Sequence, residues 1–316
     1  LQFGAVLAVS REGSPRQQDL LFAADLTGIN ISVPEQPIWT EEDLHNLYAE
    51  RGSILSRGSA LAWLGHLNAL RWFLDSDLST AIILEDDVDW DIHLRTAQVP
   101  LVSENLRKLL NSSATYWSDL SAWEILYLGH CGDFFPPDDL TTMQHAIFHD
   151  DTLLPHDKMH TETRHFLRNL AFAEETRMIH RSRWPLCTFG YAVTRASAHR
   201  IFNELAVREQ NGGCQAYDVR ILEACRDLDY RCFSVNPEIF HHVSVPSEIA
   251  GVNEGIDPQG RLQRQHSEKT PNLACGARSK SFYTDDEATM EYLREEVGVK
   301  GHCLVDDMEE DNTKPF

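Results

Sequence analysis

The sequence predicts an α/β domain with a mostly parallel central sheet flanked by helices, and three observations carry that reading. Continuous apolar runs at residues 4–10, 80–84 and 123–128 have the length and composition of strands buried on both faces. Stretches with helical spacing lie between them, so strand and helix alternate along the first third of the chain. Such alternation supplies the long crossovers that parallel strands need.

Each element has a local cause. After the first strand, Ser14-Pro15 opens a helix to about residue 27, with Leu20, Leu21, Ala24 and Leu26 apolar. Residues 29–33 read as a second short strand, and 41–51 as a short helix behind Thr40, a cap candidate. Residues 58–75 form a strong helix whose apolar face holds Leu61, Leu64, Ala69, Trp72 and Phe73. The run 80–84 continues straight into Glu85-Asp86-Asp87, and 123–128 ends in Gly129-His130. Further on, 186–194 and 230–235 read as strands, and 195–208, 216–227 and 285–297 as helices.

The organisation that follows is a main domain over 1–243, a loop-and-helix extension over 244–305 packed on it, and a solvated acidic tail at 306–316. Within the main domain, 131–183 breaks the rhythm after Pro136-Pro137 and holds six of the 15 histidines. It reads as an irregular insertion or lid. Its histidines fall in i,i+4 pairs, His145 with His149 and His156 with His160, which could share a zinc if helical. No further ligand stands at a recognised spacing, so a surface role is favoured.

Charge and cysteine usage narrow the function. With 28 Lys+Arg against 49 Asp+Glu the net charge is −21, and the basic residues do not cluster, which excludes nucleic acid as a partner. No run of 18 apolar residues exists, so no segment of this sequence spans a membrane. Leu1 leads directly into the first apolar strand, and the chain reads as trimmed of any targeting leader. Seven cysteines without a C-x-x-C argue against a zinc ribbon, and the odd number leaves at least one unpaired within the chain. The cysteines and two sequons, at Asn30 and Asn111, point to the lumen of the secretory pathway, Golgi or ER.

The most informative feature is Glu85-Asp86-Asp87-Val88-Asp89. Carboxylates so close repel one another, and strand periodicity puts Glu85 and Asp87 on one face with Asp86 on the other. In an open α/β sheet the carboxyl ends of strands face the ligand crevice. Oxygen-rich clusters there suit a hard divalent cation, Mn²⁺ or Mg²⁺. The bland alternative is a solvated acidic turn, but the cluster emerges directly from a fully apolar strand.

The run RGSALAWLGH at 57–66, followed by a helix and then AIILEDDV at 81–88, resembles glycosyltransferase family 25. That family includes bacterial lipooligosaccharide galactosyltransferases and the procollagen galactosyltransferases. YLG at 127–129, FGYAVTR at 189–195 and Tyr217-Asp218-Val219 also resemble it, so the likeness runs from residue 4 to about 243, weakly across 131–183. Where the family has R-G-E-I-G-C-x-x-S-H, this chain has Ser59, Leu61-Ala62 and Gly65 in place of Glu, Gly-Cys and Ser, marking a distant branch. The acidic block is intact. The resemblance implies a GT-A-type, Rossmann-like fold and a metal-dependent inverting transferase, moving galactose from UDP-galactose to a hydroxyl of a glycan or glycoprotein.

On that implication the residues take roles. Asp87, assisted by Glu85 or Asp86, would hold the cation that neutralises a diphosphate leaving group. His241 and His242 are candidate additional ligands, or one surface and one packing residue. Asp218 is either the base that deprotonates the acceptor or an ordinary first-turn helix acid. Ser10, Arg11 and Arg16, beyond the first strand, would sit by the nucleotide, with Glu85 and Asp86 orienting the donor; Arg16 is otherwise a solvated helix residue. His66 reads as a core histidine. Two rivals stand beside the enzyme reading: a non-catalytic binding or adhesion module, opposed by the intact acidic block, and a carboxylate-based glycoside hydrolase, opposed by the adjacency of its acids.

Overall fold

The computed structural model of the chain describes residues 1–243, 248–254 and 269–305. It opens as expected with β1 (Ala5–Val9), α1 (Pro15–Leu26), α2 (Glu41–Leu47), α3 (Arg57–Asp75) and β2 (Thr80–Glu85). The Thr40 hydroxyl accepts the Asp43 N–H while Asp43 accepts the Thr40 N–H, so two donors at the start of α2 are satisfied reciprocally. Ser56 caps α3 by accepting the Ser59 N–H. Gly65 lies where α3 crosses β1: a Cβ there would come within 2.9 Å of Val9 Cγ1, so a larger residue would push the helix off the strand.

The chain continues through β3 (Val88–Trp90), α4 (Val99–Leu109), β4 (Ile125–Gly129), β5 (His145–His149), α5 (Thr161–Asn169), β6 (Thr176–Arg181) and β7 (Gly190–Thr194). It then forms α6 (Arg195–Arg200), α7 (Tyr217–Asp227), β8 (Cys232–Asn236), β9 (Phe240–His242), α8 (Glu248–Asn253) and α9 (Glu287–Leu293). The sheet order is β1-β2-β7-β4-β8-β6-β5, with β3 and β9 paired off this path and β9 meeting β4 at Gly129.

The sheet is mixed, which corrects the expectation of a mostly parallel one. β1–β2 and β4–β8 are parallel, whereas β2–β7, β7–β4, β8–β6 and β6–β5 are antiparallel. A continuous apolar run reports burial on both faces, not direction, and β7 is buried along its whole length between two strands that run against it. The strand expected over 29–33 reduces to a bridge from Ser32 to Leu7. Ser32 donates to Val6 and accepts from Ala8. The next donor in that ladder would be Pro34, which has no N–H.

Helices cover both faces. On one, α1, α4 and α9 bury Leu20, Leu106 and Met290 against the side of the sheet carrying Ile82 and Leu84. On the other, α3, α6 and α7 bury Trp63, Ala198 and Ile221 against Ile83 and Tyr191. The stretch 131–183 is not irregular: β5 and β6 extend the sheet, and a small core including Phe135, Met159, Phe166 and Met178 lies beneath them. His145 and His149 stand on extended β5, so the helical pairing does not arise. The inner residues of β6 are buried although Arg177 and His180 among them are polar, and a long connection containing α5 separates β5 from β6, so no local signal marked the pair.

The described residues 269–305 dock through buried acids. Asp89 accepts the Arg278 N–H and the Thr270 hydroxyl, and Asp91 accepts the Cys275 N–H. The Arg278 guanidinium in turn donates to the carbonyls of Asp86 and Val88, at 2.8 Å each. A Cβ on Gly276 would overlap Asp89 Oδ2. Gly276→Ala is therefore expected to cost about 1–3 kcal/mol through overpacking, read as a lower urea midpoint; an unchanged midpoint would mean that this junction yields freely. The acidic tail at 306–316 and parts of 244–281 lie outside the described residues.

Three disulfides join Cys131 to Cys187, Cys225 to Cys232 and Cys275 to Cys303, leaving Cys214 as the buried free thiol. Such bonds belong to an oxidising, non-cytosolic setting. Among the described residues no helix is long and apolar enough to cross a membrane.

Candidate functional site

β1, β2, β4 and β8 all point the same way, so their carboxyl ends share one edge of the sheet. β2 delivers Glu85, Asp86 and Asp87 there, and strand alternation sends neighbours to opposite sides. Asp86 turns inward. It is buried and accepts the hydroxyls of Ser10 at 2.7 Å and Ser14 at 2.8 Å, which fastens the β1–α1 loop to the end of β2. The hydroxyl of Ser10 is thus committed to protein.

Asp87 behaves differently. Its Oδ2 meets Arg16 Nη1 at 3.1 Å, but its Oδ1 is buried with no hydrogen-bond partner. Burial and the neighbouring Glu85 carboxylate push its carboxyl up to about 7, against the pull of Arg16. The same Arg16 guanidinium lies 3.7 Å from Asp86, and Arg11 is ion-paired with Glu248 of α8 at 3.1 Å. Both arginines expected to meet the nucleotide are therefore engaged with carboxylates of the chain.

Glu85 remains the accessible acid of the block, with its side chain 34% exposed. Its Oε1 lies 3.5 Å from His66 Nε2 and 3.4 Å from the Thr188 hydroxyl. His66 is buried, as a core histidine should be, yet it spans two worlds. Its ring stacks on Tyr217 at 4.6 Å, its Nδ1 lies 3.4 Å from the Tyr191 hydroxyl, and its other nitrogen faces the crevice. Tyr191 and Tyr217 share a hydrogen bond of 3.0 Å, and burial pushes both phenols upward.

Asp218 stands in the first turn of α7, beside Tyr217. Its Oδ1 accepts the Val219 N–H and its Oδ2 the Cys187 N–H, at 2.9 and 3.2 Å. Burial raises its carboxyl above the usual range, and the charge of Glu85 adds to the rise. The helix-start position and the raised carboxyl coexist in one residue.

The two histidines of β9 divide. His241 is buried and hydrogen-bonded through Nδ1 to Glu238, which also holds Asn272. Burial raises the Glu238 carboxyl, but His241 and the hydrogen bonds outweigh it and leave it at about 2. His242 is exposed, edge-on to Phe189, with burial and His241 lowering its pKa and Glu85 opposing them. His242 is in electrostatic reach of Glu85.

Among the described residues, no three His, Cys, Asp or Glu side chains are grouped as a metal cage. The chemistry of the donors nevertheless suits a hard cation, because oxygen ligands cluster and one buried Asp87 oxygen has nothing to bind.

A cavity of about 240 Å³ adjoins this edge, between Ser10, Glu12 and Gly13 on one side and Val33 to Gln36 on the other. Both polar atoms of the Gln36 amide are buried without a partner, a residue no sequence signal marked. A larger cavity of about 340 Å³ lies at the amino ends of β1 and β2, lined by Gly4, Thr80 and Trp117, away from every acid of the block. The smaller one is the nearer to the block, since Ser10, which lines it, donates its hydroxyl to Asp86. Arg278, Thr188 and Cys187 were likewise silent in the sequence, because only tertiary contact gives them a role. No family model matches the chain, and no curated protein is significantly similar to it.

Proposed function

We propose that the chain is a metal-assisted, inverting glycosyltransferase that moves a sugar from a nucleotide-diphosphate donor to a hydroxyl of a glycan or glycoprotein. Asp87 carries this reading: a buried carboxylate oxygen without a hydrogen-bond partner, at the carboxyl edge of the sheet and within electrostatic reach of Glu85. The resemblance to glycosyltransferase family 25 adds UDP-galactose as the donor and a GT-A-type arrangement of the fold.

Asp87 and Glu85 would hold the cation, with His242 and His241 as candidate further ligands. When bound, Mn²⁺ or Mg²⁺ supplies positive charge for the diphosphate leaving group. The chain's own residues do the rest. Asp86 fixes the β1–α1 loop beside the cavity, and Arg16 keeps Asp87 oriented. Asp218, raised by burial and held by two N–H groups, accepts the proton of the attacking hydroxyl. A net charge of −21 is tolerable for an anionic donor because the local charge of the cation decides the site.

The test is a panel of UDP-sugars with Mn²⁺, reading released UDP with and without glycan acceptors. Acceptor-stimulated release from UDP-galactose is expected. Glycan cleavage without any nucleotide would favour the hydrolase, and nucleotide-independent glycan binding the adhesion module.

The disulfides and sequons support a Golgi or ER lumen. Asn111 is exposed just beyond α4, so it is expected to carry glycan when the chain is secreted from a eukaryotic host. Mass spectrometry showing Asn111 and Asn30 both bare would count against the lumen.

A further inference from the structure

The chain from 182 to 188 runs from the end of β6 to the crevice, and its last residues touch the candidate machinery. Thr188 meets Glu85, and Cys187 donates its N–H to Asp218. Immediately before them, Leu186 is 42% exposed and Trp184 53% exposed. Large apolar side chains left in water beside a site are informative when they are held rigidly.

These are. The N–H groups of Arg183 and Trp184 both donate to the buried carboxylate of Asp133, at 3.0 and 2.6 Å. The Leu186 carbonyl accepts the Cys131 N–H at 2.9 Å, and the Cys131–Cys187 disulfide closes the same loop onto the end of β4. The Arg226 guanidinium lies over the Trp184 ring, 5.0 Å from its centroid. That cation covers part of the indole, and about half of the residue stays in water.

We propose that Trp184, two residues before the exposed Leu186, is a saccharide platform: an acceptor subsite that takes the apolar C–H face of a sugar ring. A pyranose is apolar across its ring face and polar around its rim, so it needs a flat, immobile, amphipathic surface, which a pinned indole provides. The proposal rests on the transferase reading for the word acceptor, though not for the binding itself. Position along α7 adds its scale. Arg226 is eight residues beyond Asp218, about 12 Å of helix, so the ring engaged by Trp184 is not the one that reacts. The acceptor is therefore an oligosaccharide, or a glycan already begun on protein, whose inner sugar is held while an outer hydroxyl is glycosylated.

The experiment is an oligosaccharide array probed with wild type, Trp184→Ala and Trp184→Phe in the presence of UDP and Mn²⁺. UDP affinity and melting temperature are measured on each variant alongside. Wild type should retain at least one oligosaccharide class and no monosaccharide. Trp184→Ala should weaken that binding on the order of tenfold, and Trp184→Phe should restore most of it. Wild type binding no oligosaccharide, or Trp184→Ala binding within twofold of wild type, overturns the platform. Failure of the transferase reading looks different: no UDP binding and no UDP release by wild type, with the array result standing on its own.

Discussion

Asp87→Asn is expected to abolish transfer, lowering turnover by roughly 10³-fold or more, while the protein melts at an unchanged or higher temperature. The asparagine keeps the shape of the side chain and the contact that Arg16 makes. It removes only the negative charge, which already costs the fold something, since burial and Glu85 push the Asp87 carboxyl up to about 7. Proton and cation therefore compete for one carboxylate. Mn²⁺ affinity of the wild type should fall as the pH drops below about 7, because the protonated acid is the form the fold prefers without metal. Melting curves and Mn²⁺ titrations at several pH values read both effects. Asp87→Asn turning over at the wild-type rate would remove Asp87 from the site.

Asp218→Asn separates proton removal from donor binding. Turnover should fall by roughly 10²–10⁴-fold, the usual cost of losing a general base, with UDP affinity nearly intact. An asparagine must turn its NH₂ toward one of the two N–H groups that Asp218 accepts, so a stability loss of about 1–3 kcal/mol accompanies it. Activity is therefore compared well below the melting transition. Weakened UDP and Mn²⁺ binding equal to that of Asp87→Asn would move Asp218 into the donor site. Unchanged binding and rate would leave it as a helix-start acid alone.

Much of the fold was legible because its signals are local. Thr40 marks a helix start through a side-chain oxygen that accepts the Asp43 N–H, and it does so. The β2 run and its period-two alternation separated Glu85 and Asp87 from Asp86, and Asp86 is indeed the one tied inward by Ser10 and Ser14. Direction of pairing was not legible, since β7 reads identically whether it runs with or against its neighbours. Nor were the partners of charged groups. Arg11 and Arg16 looked available for phosphate, yet Glu248 and the acidic block itself hold them, across 237 and 71 residues of chain. His66 looked like a core residue and is one; its reach to Glu85 follows only from how α3 lies on the sheet. Arg278 lay in a stretch read as loop, although its guanidinium supports the backbone of the acidic block.

The central claim is that the carboxyl edge of the sheet binds a nucleotide sugar through a divalent cation held by Asp87. Calorimetric titration of UDP-galactose into the wild-type protein, once with Mn²⁺ and once with excess chelator, tests it most directly. Saturable binding with Mn²⁺ that disappears in chelator, and in Asp87→Asn with Mn²⁺ present, is the predicted result. No binding with Mn²⁺, or equal binding in chelator, would contradict it.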